Sequence, residues 1–402
     1  MRGRENIDKG ELQGKYTIDM TMRNEKNNVL FLGFIAASVA LVLFSYTQVD
    51  LNLTLSRDGV WQGIQKAFQY IGFYQRPLAT LLYAGIIVSL YGLYMVLLGR
   101  IRQGLVDIAF IRDVIIAVTV IMVFSYPAAF SYDFFNYLFT AKTVLVYHQN
   151  PYTVTPLQFS GIDPWTNFMR WTHLSSAYTP FWILLSLAPY VIGLGYFILV
   201  LFATKFMIAG FYLLASWALS RALRADNPKQ HAYGVALFSL NPLILIESLV
   251  SGHNDIVLVA FAMLSVMAYV KKDELRSWIY LSFSIAAKFM TIFLIPVYLF
   301  KKGRIWILAA MAVGLLLVLL RREFLPWYWV WLLPFVALNA EKEKLVRMAI
   351  VVSVGLVASY APYMYFGEYS SVMQTWKTWL IVGGVGVGLM SALMPVKKSR
   401  SA

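Results

Sequence analysis

Long apolar runs, separated by short polar stretches, follow one another along most of this chain. Many of them approach the ~20 residues that an apolar helix needs to cross the core of a bilayer. The short alternating segments typical of a membrane barrel are absent from the pattern, so helices must satisfy the backbone within lipid. The predicted spans are residues 29–46, 78–98, 114–131, 178–194, 197–220, 232–249, 255–270, 277–300, 305–320, 328–340, 346–362 and 374–394.

This pattern predicts an all-α fold, a polytopic transmembrane bundle of about 11–13 spans. A long external loop, residues 132–177, follows the third span. Because no internal repeat or linker is visible, we expect one transmembrane domain over residues 29–396. Residues 1–28 are expected to form a cytosolic, partly disordered tail, and residues 397–402 a short cytosolic one.

Composition and charge agree with a multi-pass protein of the membrane. Hydrophobic residues make up 59% of the chain and charged residues only 13%, against roughly 25% charged residues in soluble domains. The net charge of +14 does not indicate nucleic-acid binding, since the basic residues sit in short loops, as expected on the cytosolic side. We therefore expect the protein to be located in the cell membrane of a prokaryote. Of the 34 basic residues, 24 lie in the segments 1–28, 100–112, 221–229, 271–276, 301–304, 342–347 and 397–400.

Two predicted spans conflict with a cytosolic location for all these basic segments. Residues 277–300 lie between two of them, so they cannot cross once and are predicted to form a hairpin of two short half-helices with Lys288 at its tip. Residues 178–194 raise the same difficulty. Either they dip into the membrane without crossing it, or one basic segment lies on the other side.

With this orientation, one face collects residues 47–76, 132–177, 251–255 and 321–329. An ionisable group at membrane depth costs roughly 2.5–3.5 kcal/mol, so such groups tend to mark function. Several of them map to this external face and are expected to lie together. They are Asp133, Glu247, His253, Asp255, Lys288, Arg321 and Arg322.

These residue types match the needs of sugar transfer from a lipid phosphate to a hydroxyl. The acceptor hydroxyl needs a base near the membrane surface, and Asp133 is the candidate. The departing phosphate needs cations, for which Lys288, Arg321 and Arg322 are the candidates. Aromatic rings could face the sugar or the lipid; the candidates are Tyr152, Tyr178, Trp327, Tyr328 and Trp329.

Four stretches resemble one known family. They are "YDFFNYLFTAKTVLVYHQNPY" (132–152), "NPLILIESLVSGHNDIVLVAF" (241–261), "LSFSIAAKFMTIFLIPVYLF" (281–300) and "PWYWVWLLPFVAL" (326–338). In this order they are similar to the C-type integral membrane glycosyltransferases, in the branch that depends on polyprenol-phosphate mannose. The second stretch, which contains Gly-His-Asn-Asp at residues 252–255, is the most specific of the four.

The resemblance implies a polyprenyl-phosphate sugar as donor, with a hexose such as mannose, and a glycolipid or cell-envelope glycan as acceptor, beside membrane lipid. It implies that Asp133 activates the acceptor. The substrate-binding residues that it implies, together with those from the chemistry above, are Glu247, His253, Asn254, Asp255, Lys288, Tyr152, Arg321 and Arg322. Some members pair two acids as Asp-X-Asp and use a divalent metal. Here Ser131-Tyr132-Asp133 holds a lone acid, which leaves a metal cofactor open.

Structural interpretations stay open for the same residues. Asp133 could cap the following helix, and the turn 251–255 has residue types that favour turns in any protein. Glu247 could bond a neighbouring helix, and Lys288 could extend to an interface. Arg321 and Arg322 could be exceptions to the charge rule. At the level of function, the alternative is a transporter or flippase of a lipid-linked sugar, which would have similar spans and broken helices.

Overall fold

The computed structural model describes residues 25–395, which are helical throughout their regular structure. The predicted all-α fold is confirmed, but within residues 25–395 only five or six helices, and not the predicted 11–13, are long and apolar enough to cross a membrane. The first helix begins at Glu25, so it includes the last residues of the predicted tail 1–28; the rest of that tail and residues 397–402 lie outside the described residues. The single-domain assignment stays a prediction.

The helices, numbered along the chain, are α1 (Glu25–Tyr46), α2 (Gly59–Gln69), α3 (Arg76–Arg102), α4 (Ile108–Met122), α5 (Asp133–Leu145), α6 (Pro180–Ile192), α7 (Phe197–Asp226), α8 (His231–Ser239), α9 (Pro242–Val250), α10 (Asp255–Val270), α11 (Glu274–Ala287), α12 (Phe289–Leu299), α13 (Arg304–Leu319), α14 (Pro326–Leu338), α15 (Glu343–Ala358), α16 (Ala361–Phe366) and α17 (Ser371–Leu393).

Length and apolar composition identify the membrane-crossing candidates within residues 25–395. Five are long enough: α1, α3, α7, α17 and the run Glu343–Phe366 formed by α15 and α16. The pair α8 and α9 makes a sixth if it is counted as one span bent by 47°. Five shorter apolar helices accompany them, namely α6, α10, α12, α13 and α14. The chain is therefore an integral, multi-pass membrane protein.

Ion pairs between helix ends gather the basic segments on one side of the bundle, which we call the basic face. Arg102 at the end of α3 lies 3.9 Å from Glu343 at the start of α15. Arg304 at the start of α13 pairs with Asp226 at the end of α7, at 2.8 Å, and with Glu341, at 3.0 Å. The 30 residues of α7 lead from this face to the opposite one, which we call the site face.

The segment 277–300 is a hairpin, as its charge pattern predicts. Helix α11 ends at Ala287, Lys288 is extended, and α12 returns. The two outer ends meet, because Lys301 lies 2.7 Å from Glu274 on the basic face. Lys288 is thus the tip, on the opposite side from those ends.

Helix α6 does not cross the bundle. Both of its ends contact the segment 132–177, since Tyr137 packs against Trp182 near the first end and Trp165 against Tyr190 near the second. With 13 residues it is about 20 Å long. Of the two alternatives for residues 178–194, the structure therefore has the one without a crossing.

The predicted span 114–131 is placed too late in the sequence. Helix α4 covers Ile108–Met122, and the chain then passes through a short turn at Pro127–Ala129 before α5 begins at Asp133. Arg112 and Asp113 pair with each other at 2.8 Å inside the first turns of α4, which allows the helix to start before the apolar run. Asp133 therefore begins a new helix instead of ending a span.

The core consists of helices that are apolar on all sides. Most of α10, and all of α9, are buried, as expected for helices without a polar face. Around them α1, α3, α7 and α17 expose large apolar side chains at the surface, where lipid would contact them.

The last long helix is attached through glycine. Gly384 of α17 faces Gly355 of α15 so closely that a Cβ atom on Gly384 would lie 2.7 Å from the Gly355 Cα atom. Small residues at such crossings let two membrane helices pack backbone against backbone. Gly386, two residues further along α17, has no atom within 4 Å of its hypothetical Cβ.

We predict that Gly384→Leu loosens α17 from α15 and lowers stability by about 1–3 kcal/mol, the usual cost of overpacking. The apparent melting temperature of the purified protein in detergent measures this. Gly386→Leu is the matched control, because it adds the same side chain to open space. Equal melting temperatures for the two variants would contradict the prediction.

Candidate active site

A cavity of about 1430 Å³ opens among the helix ends of the site face. It is bordered by the start of α5, the Lys288 tip, the start of α14 and the region from α16 to α17. Five of the nine predicted site residues line it: Asp133, Asn254, Asp255, Lys288 and Arg322. Glu247 and His253 are buried and are joined to the cavity through Asp133 and Trp327.

The turn that presents His253 follows from local sequence. Helix α9 becomes π-helical over Leu245–Val250 and then stops. Gly252 adopts φ +66°, and a Cβ atom there would lie 2.8 Å from the Phe134 ring, so only glycine fits. The His253 amide then donates to the Glu247 carbonyl at 2.9 Å, which closes the turn.

The carbonyl groups at the end of α9 are satisfied by a lysine from another helix. Lys205, in the first third of α7, is buried and donates from Nζ to the carbonyls of Leu249 and Val250 and to Ser125 Oγ. These three contacts fix the amine against the end of α9.

A line of polar side chains runs from the buried interior towards Asp133. Tyr360 donates to Oε1 of Glu247 at 2.8 Å, and Nδ1 of His253 lies 2.8 Å from Oε2. Because a carboxylate can only accept, Nδ1 carries the proton. The other ring nitrogen, Nε2, lies 3.9 Å from Oδ2 of Asp133 and has no hydrogen-bond partner among the described residues. The ring packs on Trp327, with 4.4 Å between centroids.

The pKa of His253 is raised by this environment. Burial alone opposes the charged ring, but the hydrogen bond to Glu247 and the charges of Glu247, Asp133 and Asp255 outweigh it. His253 lies in the turn between α9 and α10, outside the helices. The environment therefore favours the imidazolium form, whose Nε2–H would point towards Asp133.

Asp133 is placed as an accessible carboxylate and not as a helix cap. Tyr132 occupies the N-cap position of α5, and Asp133 is the first helical residue. Its side chain is 27% exposed, and within residues 25–395 it accepts no hydrogen bond. The capping interpretation of Asp133 is therefore wrong. An acid in the first turn is still favourable for the helix dipole.

Asp255 and Lys288 form an ion pair in the lining of the same cavity. Nζ of Lys288 lies 2.6 Å from Oδ1 of Asp255, and Trp331 donates its indole N–H to the same oxygen. Asp255 is buried, whereas the Lys288 side chain is 32% exposed and faces the cavity. The site thus offers a cation whose partner acid is held in place by a second donor.

The other predicted site residues have different environments. Asn254 meets the Tyr137 hydroxyl at 3.4 Å. Arg322 lines the cavity, but the exposed Arg321 does not. Tyr152 also lies outside the lining and donates to the Tyr178 carbonyl at 2.8 Å, so it supports a residue that does line the cavity.

The predicted aromatic residues are divided in the same way. Tyr178, Trp327 and Tyr328 line the cavity. Trp329 is buried and donates to the Ala349 carbonyl, which gives it a structural contact away from the lining.

Residues 30–304, well over half of the chain, match the family described as alpha-(1->6)-mannopyranosyltransferase, N-terminal domain. The chain belongs to this MptA_B family. It is thus a glycosyltransferase of the mannosyltransferase type, and the resemblance seen in the sequence is confirmed at the level of the family. No curated protein and no solved structure matches the chain.

The matched range of the MptA_B family contains Asp133, Glu247, His253, Asp255 and Lys288. The rest of the cavity comes from the chain beyond residue 304. That later part contributes Arg322, Trp327, Trp331 and Tyr360. The site of this mannosyltransferase-type protein is therefore shared between the matched domain and the helices that follow it.

Sequence reasoning missed several residues that hold the site together. Lys205 is a basic residue within the apolar run 197–220, and this unusual position could have indicated its importance. Tyr360 and Trp331 were not among the predicted site residues, although Tyr360 donates to Glu247 and Trp331 to Asp255. Asp50 is buried and accepts from Arg170 at 3.2 Å and from Tyr132 at 3.3 Å, which fixes the chain next to Asp133; nothing in the sequence singled it out.

A metal ion finds no suitable ligand set here. Within residues 25–395, no group of three or more His, Cys, Asp or Glu side chains is arranged to hold one. Asp133 also has Ser131 where an Asp-X-Asp pair would place its second acid. We assign no step of the chemistry to a metal.

We predict that Lys205→Met leaves the end of α9 with unsatisfied buried carbonyls and destabilises the protein by about 2–4 kcal/mol. The apparent melting temperature in detergent should fall accordingly. Thr204→Ser, next to it in α7, keeps the hydroxyl that bonds the Val200 carbonyl and serves as control. A Lys205→Met protein as stable as this control would show that the lysine does not hold the helix end.

Proposed function

We propose that the protein transfers a mannosyl residue from a polyprenyl-phosphate donor to a hydroxyl of a lipid-linked or cell-envelope glycan. Asp133 acts as the general base. The reaction takes place on the external face of a prokaryotic cell membrane. The observation that carries the proposal is that an accessible carboxylate, Asp133, and an accessible ammonium group, Lys288, line one cavity at the helix ends of a mannosyltransferase-family protein.

The donor side of the cavity is the Lys288 tip. Lys288 supplies a positive charge for the phosphate, and its partner Asp255 keeps the ammonium in place. Next to it, Phe289 is 68% exposed and Ile292 45% exposed, although both also line the cavity. Apolar side chains that face both cavity and surroundings suit the lipid tail of a polyprenyl phosphate.

The acceptor side is the start of α5. In the proposed step, the acceptor oxygen forms a bond to the anomeric carbon while its proton moves to the Asp133 carboxylate. The bond between the anomeric carbon and the phosphate oxygen breaks, and its electron pair leaves with the polyprenyl phosphate, whose charge Lys288 compensates. Direct displacement inverts the anomeric configuration. The alpha-(1->6) linkage in the family's description would therefore require a beta-linked donor.

The face assignment rests on charge. The basic face carries the Lys- and Arg-rich segments joined by the ion pairs of Arg102, Arg304 and Lys301. Such segments stay in the cytosol. The opposite location of the cavity supports an external reaction.

We predict that Asp133→Asn lowers kcat/KM by about 10²–10⁴-fold, the usual contribution of a general base, while the protein stays folded. Transfer of radiolabelled mannose from a polyprenyl phosphate to an extracted glycolipid acceptor gives the measurement. Gel filtration and the apparent melting temperature check the fold.

Glu368→Gln is the matched control for Asp133→Asn. It removes another carboxylate from the cavity rim, where Glu368 is exposed and has no role in the proposed step. Full activity of the purified Asp133→Asn enzyme would end the assignment of the base.

We predict that Lys288→Met raises the KM for the donor by about 10- to 100-fold, since a hydrogen bond to a charged group contributes ~1.5–3 kcal/mol. The KM for the acceptor should change little, which distinguishes a phosphate contact from a general loss of structure. Lys377→Met, which removes a lysine paired with Glu323 at the rim, is the control. Equal effects on both KM values would argue against a phosphate contact.

A transporter or flippase of a lipid-linked sugar gives a different result. Purified protein in detergent, incubated with a radiolabelled polyprenyl-phosphate sugar and acceptor, forms a glycosidic product only if it is a transferase. Movement of the lipid across liposomes without a new glycosidic bond would favour transport.

A further inference from the structure

One buried group near the base remains without a function. His253 is almost fully buried, and its Nε2 atom has no hydrogen-bond partner among residues 25–395. A buried polar atom in this state costs free energy. The nearest carboxylate oxygen on that side of the ring is Oδ2 of Asp133, at 3.9 Å.

The ring of His253 is fixed from three directions. Glu247 holds Nδ1 at 2.8 Å, and Tyr360 holds Glu247 from the other side. The ring packs against Trp327 at the start of α14. The turn at Gly252 fixes the backbone. Three chain segments thus converge on one imidazole, and the only nitrogen that they leave open faces the proposed base.

We propose that Glu247 and His253 are a positioning pair for Asp133, in which the His253 imidazolium directs its Nε2–H at Oδ2 and leaves Oδ1 of Asp133 free for the acceptor hydroxyl. This inference rests on the function proposed above, and it adds a second requirement to it: His253 must be protonated for transfer.

Glu247 and His253 gain and lose no atoms in the proposed reaction. The acceptor proton still moves to Asp133 and the electron pair still leaves with the phosphate. The Nδ1–H group keeps donating to Glu247 and the Nε2–H group to Asp133, so both ring protons are retained throughout. Rotation of the Asp133 carboxylate within its partly exposed position would shorten the 3.9 Å separation.

The charges around His253 favour its protonation. Glu247 of α9, Asp133 of α5 and Asp255 of α10 all face it, and Asp255 is itself paired with Lys288. The combined effect raises the pKa of His253. As the pH rises through that pKa, Nε2 loses its proton and can no longer donate to Asp133.

The decisive experiment is the pH profile of kcat/KM in the purified full-length enzyme, with Glu247→Gln compared with wild type. The neutral amide of this variant has no charge to hold the proton on His253, so the alkaline limb should move to lower pH by about one unit or more. Because each profile is normalised to its own maximum, partial loss of folded protein does not move the limb.

Tyr360→Phe is the matched control. It removes the other hydrogen bond of Glu247 and keeps its charge, so the alkaline limb should not move to lower pH. A structural role for Glu247 would lower activity at every pH in both variants and leave both limbs in place. That result overturns the positioning pair.

A second measurement covers the case in which Glu247→Gln is inactive. In wild-type protein labelled with ¹⁵N at its four histidines, the side-chain nitrogen shifts report protonation, and loss of signals in His253→Gln identifies those of His253. We expect an imidazolium at neutral pH. A neutral ring there overturns the inference.

The two proposals can fail separately. If Asp133→Asn abolishes transfer but the alkaline limb of the kcat/KM profile does not shift in Glu247→Gln, only the proposal of a positioning pair is wrong. If Asp133→Asn is fully active, the proposed base is wrong, and the pair loses its purpose with it.

Discussion

A helix that ends inside an apolar bundle must have its last carbonyl groups satisfied, and this requirement shapes the centre of the protein. Helix α9 ends among buried residues at Val250, and water does not reach its carbonyls there. Lys205 of α7 donates hydrogen bonds to two of these carbonyls, those of Leu249 and Val250. Once the end of α9 is stable, the chain can turn sharply at Gly252 and present His253 beside Asp133, the proposed base.

The candidate site joins charges that would be costly alone. Glu247 and Asp255 are buried acids, and each has a cationic or cation-forming partner and a neutral donor: His253 with Tyr360, and Lys288 with Trp331. Asp133 has no such donor within residues 25–395 and lines the cavity. The proposed base is thus the one of these three acids without a side-chain donor within residues 25–395, whereas Glu247 and Asp255 each have two. This difference between the three acids fits the proposal that Asp133 is the base and that Glu247 and Asp255 support the site.

Much of this arrangement could be predicted from the sequence, and the reason is the cost of polar groups in lipid. Ionisable residues in apolar runs are few, so Asp133, Glu247, Asp255 and Lys288 stood out, and charge counting predicted the hairpin at Lys288. The start of α4 was predicted too late in the sequence, because the charged residues Arg112 and Asp113 are of a type expected in a loop. Lys205, Tyr360 and Asp50 could not be assigned, since their importance depends on partners more than 40 residues away.

The position of α17 has a consequence for how the cavity responds to its surroundings. Only 17% of the apolar window of this helix is buried, and its backbone approaches α15 at the glycine crossing. Yet Gln374 and Lys377, near its start, belong to the cavity rim. A membrane helix that is longer or shorter than the hydrocarbon core can adjust by tilting, within the limits set by its packing on neighbouring helices. The rim of the cavity is therefore built in part from α17, the least buried of the long apolar helices within residues 25–395.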